Sequence, residues 1–194
     1  GRSALPPEQI PGLVNPRGEF TNNSAGAGFR YFFDRRLRPQ LRAELLAQFQ
    51  RFAATGLPLD HVNGHLHLHL HPTVFGLLME LQEQLGFRQL RLTFDPLRLN
   101  LRLASGYWFY RAIHALIFHL LSARARPALD RRGIRHTHAV FGLLQNARVD
   151  EPYVSRLLPR LPPGDSELYS HPSLDEFRPE FEALVSPRVR AAVD

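Results

Sequence analysis

Asp60-His61-Val62-Asn63-Gly64-His65-Leu66-His67-Leu68-His69-Leu70-His71-Pro72 is the stretch on which the reading of this chain turns. Polar residues hold every odd position from His61 to His71, and Val62, Gly64, Leu66, Leu68 and Leu70 hold the even ones. Period-two alternation predicts a strand with one imidazole face and one apolar face. Neutral imidazoles inside a fold are a natural source of metal ligands and proton carriers, which points to an enzyme. Geometry limits the cluster. Alternate residues on a strand lie about 6.6–6.8 Å apart, which puts His65 roughly 20 Å from His71. A metal–nitrogen bond is only about 2.0–2.1 Å long. One ion therefore takes one histidine of the row, or two neighbours if the strand bends. The other histidines orient, shuttle protons or pack. The competing reading is a polar strand face satisfied by hydrogen bonds and water.

The 194 residues, 44% of them hydrophobic, suffice for one substantial core. All 24 basic residues are arginine, and the formal net charge is +6. The arginines are scattered among carboxylates, with neither a basic block with stacking aromatics nor a nucleic-acid motif, so no nucleic-acid partner is expected. A basic surface suits an anionic membrane surface equally well. Without cysteine, any metal site must be built from His, Asp or Glu. Gly1 opens in a loop-like phrase with neither a signal peptide nor a start methionine, and the natural N-terminus is expected to lie upstream.

Residues 1–30 read as irregular, with Pro6, Pro7, Pro11 and Pro16 and the run Asn22-Asn23-Ser24-Ala25-Gly26. A helix is predicted from Pro39 to a stop at Gly56, and another, capped by Thr73, runs to Gly86. Further strands are predicted at Phe87–Phe94, Ile134–Leu143 and Ser166–Ser170. Further helices are predicted at 107–126, Asp150–Leu161 and Leu174–Leu184. Alternating strands and helices mean a mostly parallel α/β sheet or barrel in a single domain. Chemistry in such folds sits at the carboxyl ends of strands, where His65–His71, Asp95 and His171 fall.

The phrase His61 to Pro72, followed about a hundred residues later by Glu167-Leu168-Tyr169-Ser170-His171-Pro172, resembles the YdjC-like carbohydrate deacetylases. The nearest branch is the hopanoid-biosynthesis group, the HpnK-type proteins, which share Asn at position 63 where other members carry Asp. Arg91-Leu92-Thr93-Phe94-Asp95 is similar to the family's Arg-x-Pro-x-Glu, and Val140-Phe141-Gly142-Leu143 also matches. The opening, Leu5-Pro6-Pro7 to Phe20, looks like the loop after the family's second strand. The resemblance implies a distorted (β/α) barrel without its N-terminal βα units and last strand. The family's Asp-Asp-Phe-Gly and Gly-Leu-His phrases are absent, and with them two of three expected metal ligands and a catalytic carboxylate.

The chemistry so implied is metal-assisted hydrolysis of an acetamido group on a sugar. A divalent ion, zinc or magnesium in the first instance, would polarise the carbonyl and acidify its water while a carboxylate takes the proton. His65 aligns with the family's metal histidine and His171 with a histidine expected to act as general acid. For His171 the competing role is capping or packing before Pro172. His67 and His69 match positions of metal-ligand support or substrate contact. Arg91 is expected to bind a sugar hydroxyl or an oxyanion, or else to pair with an acid, and Asp95 carries the same two readings. His61 and His71 read as structural as readily as functional, His136 and His138 as solvated or structural, and His114 and His119 as interfacial.

The helix at 107–126 is apolar on more than one stripe but interrupted by Arg111, His114, Arg124 and Arg126, so it is not a membrane span. It reads either as an interfacial helix or lid serving a lipid-bearing substrate, or as a barrel-flanking helix of a hairpin insertion. Three functions compete: an N-deacetylase of N-acetylglucosamine on a hopanoid, a deacetylase of soluble amino-sugar oligosaccharides, and a non-catalytic metal- or carbohydrate-binding remnant. A histidine-rich metal buffer is a further class. A cytoplasmic site with peripheral contact at the inner membrane face, and a homodimer, complete the expectations.

Overall fold

The computed structural model describes residues 1–145 and 147–193. Backbone contacts divide the chain into two units, residues 1–91 with 127–135 and residues 92–126 with 136–194. In the first, helices α1 (Ser24–Phe33) and α2 (Leu37–Ala53) pack with α3 (Pro72–Leu85). Proline at the first position and glycine past the end define α3. Pro72 keeps His71 out of the helical region (φ −57°, ψ 134°), and the His71 side chain caps the helix by accepting from the Thr73 N–H. Gly86 ends it in the left-handed conformation. Val74, Phe75, Leu77, Leu78 and Leu81 form its buried face. Glu44 on α2 is buried and fastens the N-terminal loop by accepting from the Ala4 and Leu5 N–H groups at 2.7 and 3.0 Å. Strand β1 (Gln89–Leu90) runs parallel to Val62, which donates to Gln89 and accepts from Arg91. Arg135, the first residue of β2 (Arg135–His136), donates to Arg88 at 2.9 Å.

The second unit begins with Leu92–Phe94 and α4 (Leu97–Leu103) and includes α5 (Trp108–Arg131) as far as Arg126. Strand β3 (Ala139–Phe141) pairs in parallel with β4 (Ser166–Leu168), in the register Ala139 to Ser166 and Phe141 to Leu168. On its other side Val140 donates to Phe94 at 2.8 Å. Helices α6 (Glu151–Leu157), α7 (Arg178–Val185) and α8 (Pro187–Val193) pack against one another. Their core holds Leu103, Phe141, Val149, Tyr153, Val154, Leu157, Ala183 and Val189. Helices joining short parallel pairs make this an α/β fold.

The histidine stretch is not a strand. After Val62 the chain turns at Gly64, and His65–Leu70 form a 3₁₀ segment in which Leu66 (φ 53°) and His67 (φ 57°) are left-handed. A strand would hold Gly64 and His69 about 17 Å apart. Instead a Cβ placed on Gly64 would lie 3.1 Å from the His69 Cβ, so the chain has folded back on itself. The ring of His69 enforces this, for it is buried and hydrogen-bonded to the Arg91 carbonyl. Burial does not follow the period-two pattern here, for His65 and Leu66 are exposed while His69 and Leu70 are buried.

Other boundaries move for local reasons. The Asn22-Asn23-Ser24 run is a helix start, since Asn23 caps α1 through the Gly26 N–H. The strand expected at Ile134–Leu143 divides because the Thr137 hydroxyl takes ladder positions, accepting from the Leu92 N–H and donating to the Leu92 carbonyl, both at 3.2 Å. The strand expected at Phe87–Phe94 is reduced to Gln89–Leu90, the helix expected at 107–126 runs to Arg131 through Pro127, and the one expected from Leu174 starts at Arg178. Helices α4 and α8 lie outside the elements read from the sequence.

Candidate functional site

In the first unit one turn gathers three of the site histidines. His65 is exposed, His67 is half-buried and His69 is buried, with the rings of His67 and His69 6.4 Å apart. Because a carbonyl only accepts, the His69 contact to Arg91 (2.9 Å) requires a proton on Nε2 and leaves Nδ1 with a lone pair. That Nδ1 is buried without a hydrogen-bond partner. Burial above all lowers the His69 pKa to about 4, with the charges of His67 and Arg91 acting in the same direction, so the ring is neutral at pH 7. Arg91 meets the turn through its backbone, taking His69 on its carbonyl and giving its N–H to Val62.

His61 is bracketed at the surface by Asp60 (2.9 Å) and Asn63 (3.1 Å). His71 caps α3 and presents its ring to Tyr31 and Phe32, a structural placement, and burial lowers its pKa. Beside the turn, a cavity of about 350 Å³ is lined by His65 and His69 together with Phe20, Tyr31, Leu41 and Phe49. Its walls are mainly apolar, as befits a ligand pocket with a few polar groups.

The second unit holds Asp95 and His171. Asp95 is buried and accepts from the Leu144 N–H (3.2 Å) and, weakly, from the Asn100 amide (3.4 Å). Its other oxygen is buried without a partner. Burial pushes the carboxyl pKa up to about 6, against the lowering influence of Leu144, Gly142, Asn100 and Arg111. Asn100 is held in turn by Arg111, whose Nε donates to its side-chain oxygen (2.7 Å) and whose guanidinium also reaches the Asn100, Ala104 and Gly106 carbonyls. Tyr153 is buried too, and burial raises its hydroxyl pKa, with the Asp95 charge adding to the effect.

His171 follows β4 and is exposed, so its ring meets solvent and any ligand. The Tyr169 hydroxyl lies 2.8 Å from its Nε2, and the two rings meet edge to face at 4.8 Å. Its backbone N–H donates to Glu180, which is buried and also accepts from the Val149 N–H at 2.9 Å. Gly142 connects Asp95 to His171. Asp95 faces the turn at 142–144, and the Tyr169 carbonyl packs against Gly142 so closely that a Cβ there would lie 2.3 Å away.

Asn100, Arg111, Tyr153, Tyr169 and Glu180 carry these arrangements, and none is a site candidate from sequence. Arg111 leaves a signal, a cation within an apolar helical run, and Tyr169 stands in the phrase around His171; the others are recognisable only through tertiary contact. Among the described residues no group of three or more His, Asp or Glu side chains is placed to hold a metal ion. The described residues therefore do not complete the ligand set that the resemblance implies.

A family model described as YdjC-like protein matches residues 1–194. A carbohydrate deacetylase of Geobacillus stearothermophilus is 38% identical over 80 residues, which cover 41% of this chain and 30% of that protein. One from Brevibacillus brevis is 40% identical over 45 residues, 23% of this chain and 18% of the relative. One from Vibrio campbellii is 42% identical over 41 residues, 21% and 16% of the two chains. The chain thus spans under a third of the length of each of these curated relatives. No solved structure matches it significantly.

Proposed function

The chain belongs to the YdjC-like protein family, and from that premise we propose that it is part of a carbohydrate N-deacetylase. The observation carrying this reading is His171, solvent-open at its ring and held through both ring and backbone by Tyr169 and Glu180. A general acid needs both qualities, a fixed position and access to the reacting nitrogen. Water adds to the acetamido carbonyl as a carboxylate base takes its proton, the C–N bond of the tetrahedral intermediate breaks, and the leaving nitrogen takes a proton from His171. Acetate and a free amine result. In the charged state Nε2–H of His171 donates to the Tyr169 oxygen, which leaves Nδ1–H as the proton for the leaving amine, and after transfer Nε2–H still donates to Tyr169.

His65 is the residue assigned to a divalent ion, zinc or magnesium, as a single ligand, with the neutral ring of His69 behind it. His67, Arg91 and Asp95 are placed as supporting or sugar-contacting groups. The finer assignments, namely a partial (β/α) barrel, the HpnK-type branch and N-acetylglucosamine on a hopanoid as substrate, rest on the phrase from His61 to Pro72. The short parallel pairs within each unit are compatible with the barrel.

The test is acetate release by the full-length protein from N-acetylglucosaminyl hopanoid and from a soluble chito-oligosaccharide. His171→Ala should lower the rate by about 10²–10⁴-fold, the usual contribution of a positioned acid, and His65→Ala should abolish it. A second reading, a non-catalytic carbohydrate-binding remnant, is favoured by the incomplete metal set among the described residues. No acetate from either substrate with any divalent metal would establish it.

A further inference from the structure

Helix α5 leaves half of its first three turns uncovered. Trp108, Phe109, Ile113, Leu116, Ile117 and Leu120 are each at least 40% exposed, Trp108 reaching 70%. At 100° per residue they occupy one side of the helix, while Arg111, Ser122 and Ala125 are buried on the other. From Trp108 to Leu120 the exposed side is about 18 Å long. A scattered apolar residue on a surface needs no explanation, but a continuous row of this size marks an interaction site.

Charge identifies the partner. Arg124 on α5 and Arg98 and Arg102 on α4 are exposed, Arg111 is buried, and α5 carries a single carboxylate, Asp130, beyond Arg126. Arg124 lies one turn beyond Leu120 and is exposed, and the Arg148 guanidinium sits 4.6 Å over the Tyr107 ring at the aromatic end. Aromatic residues at one end, aliphatic residues between, and arginines outnumbering carboxylates are the composition of a helix lying in a lipid interface. A second copy would bring two net-basic stretches together, which like-charge repulsion opposes. No helix among the described residues is long and apolar enough to cross a membrane, so the contact is with a surface.

We propose that the exposed side of α5 docks on an anionic lipid surface, with Trp108 and Phe109 entering the interface and Arg124 facing the headgroups. The contact is independent of the deacetylation residues and goes beyond the substrate assignment, since it would hold the protein at a membrane with or without turnover.

Trp108 is the sole tryptophan, so its fluorescence reads this surface alone. The full-length protein, or a form of it with Trp108 as its single tryptophan, is titrated with phosphatidylglycerol vesicles and with phosphatidylcholine vesicles, and sedimented with each. The expected result is a blue shift and co-sedimentation with the anionic vesicles, weakened by salt. Leu116→Glu with Leu120→Glu, both at exposed positions, should abolish binding while the circular dichroism spectrum stays native. Arg124→Gln should weaken it roughly fivefold. No shift with either vesicle overturns the proposal, and so does equal binding to both. A lipid-independent blue shift growing with protein concentration also overturns it, by assigning the face to a second copy. Vesicle binding without acetate release leaves this proposal standing and removes only the catalytic one.

Discussion

Asp95 and His69 are both buried, and burial acts on them in opposite directions. The Asp95 carboxyl is raised from 3.8 to about 6, so between those values the folded state keeps a proton that the unfolded chain has released. Its contribution to stability is full below about pH 4 and is lost as pH rises toward 6. His69 is lowered from 6.5 to about 4, so the unfolded chain takes a proton that the folded state refuses. Its contribution is full above pH 6.5 and is lost as pH falls toward 4. Each shift corresponds to at most about 3 kcal/mol, and over the shared window they oppose. Asp95→Asn should remove the first slope and leave a chain whose stability climbs more steeply with pH than the wild type. Urea unfolding at about pH 4.5 and about pH 6.5, followed by circular dichroism of the whole chain, measures this. Identical pH dependence in variant and wild type would mean that the carboxyl is not desolvated.

Among the elements, the turn after β3 is the most constrained by backbone geometry. Gly142 has φ 98°, where an L side chain is strained, and a Cβ there would sit 2.3 Å from the Tyr169 carbonyl oxygen. Gly142→Ala must therefore push β4 and its Tyr169-Ser170-His171 continuation outward. We expect a loss of about 3 kcal/mol or more from strain and overpacking together. A fall in acetate release should accompany it at temperatures where the variant is still folded. A melting temperature within about a degree of the wild type would show that the turn can relax. Gly64 makes the contrast. Both glycines stand where one segment packs on another and both belong to phrases shared with the family, yet by pattern alone Gly64 reads as one more even position in an alternating strand. The alternation is overridden by the turn pinned by His69 to Arg91, which buries His69 and Leu70 together and leaves His65 and Leu66 exposed. Gly86 ends α3 where the sequence predicts, because its backbone preference acts within one or two residues, whereas the N-terminal cap is His71 rather than Thr73, since Pro72 opens the helix.

Over the whole molecule, the α/β class is legible because it depends on the succession of patterned segments, and the histidine-rich phrase and His171 stand out as site candidates by residue type. What brings Glu180 to His171, or Asn100 and Arg111 to Asp95, depends on packing between segments far apart in the chain, and no local pattern records it. The same division bears on metal. Stability here comes from apolar cores, such as the one joining β3 with α6, α7 and α8, and from buried polar clasps such as Glu44 and Glu180. A structural zinc would need about four converging ligands, and the described residues offer no group of even three. Dialysis of this chain against a chelator should therefore leave its melting temperature unchanged. Zinc titration should detect no tight site, because a lone exposed His65 with neighbours turned toward Arg91 or α3 cannot enclose an ion. Metal-linked stabilisation grows with the logarithm of free metal over its dissociation constant, so even a moderately tight site would raise the melting temperature on adding zinc. A rise of several degrees, lost again on chelation, would mean that the histidine turn rearranges to gather ligands, and that the left-handed pair Leu66 and His67 marks the hinge of that change.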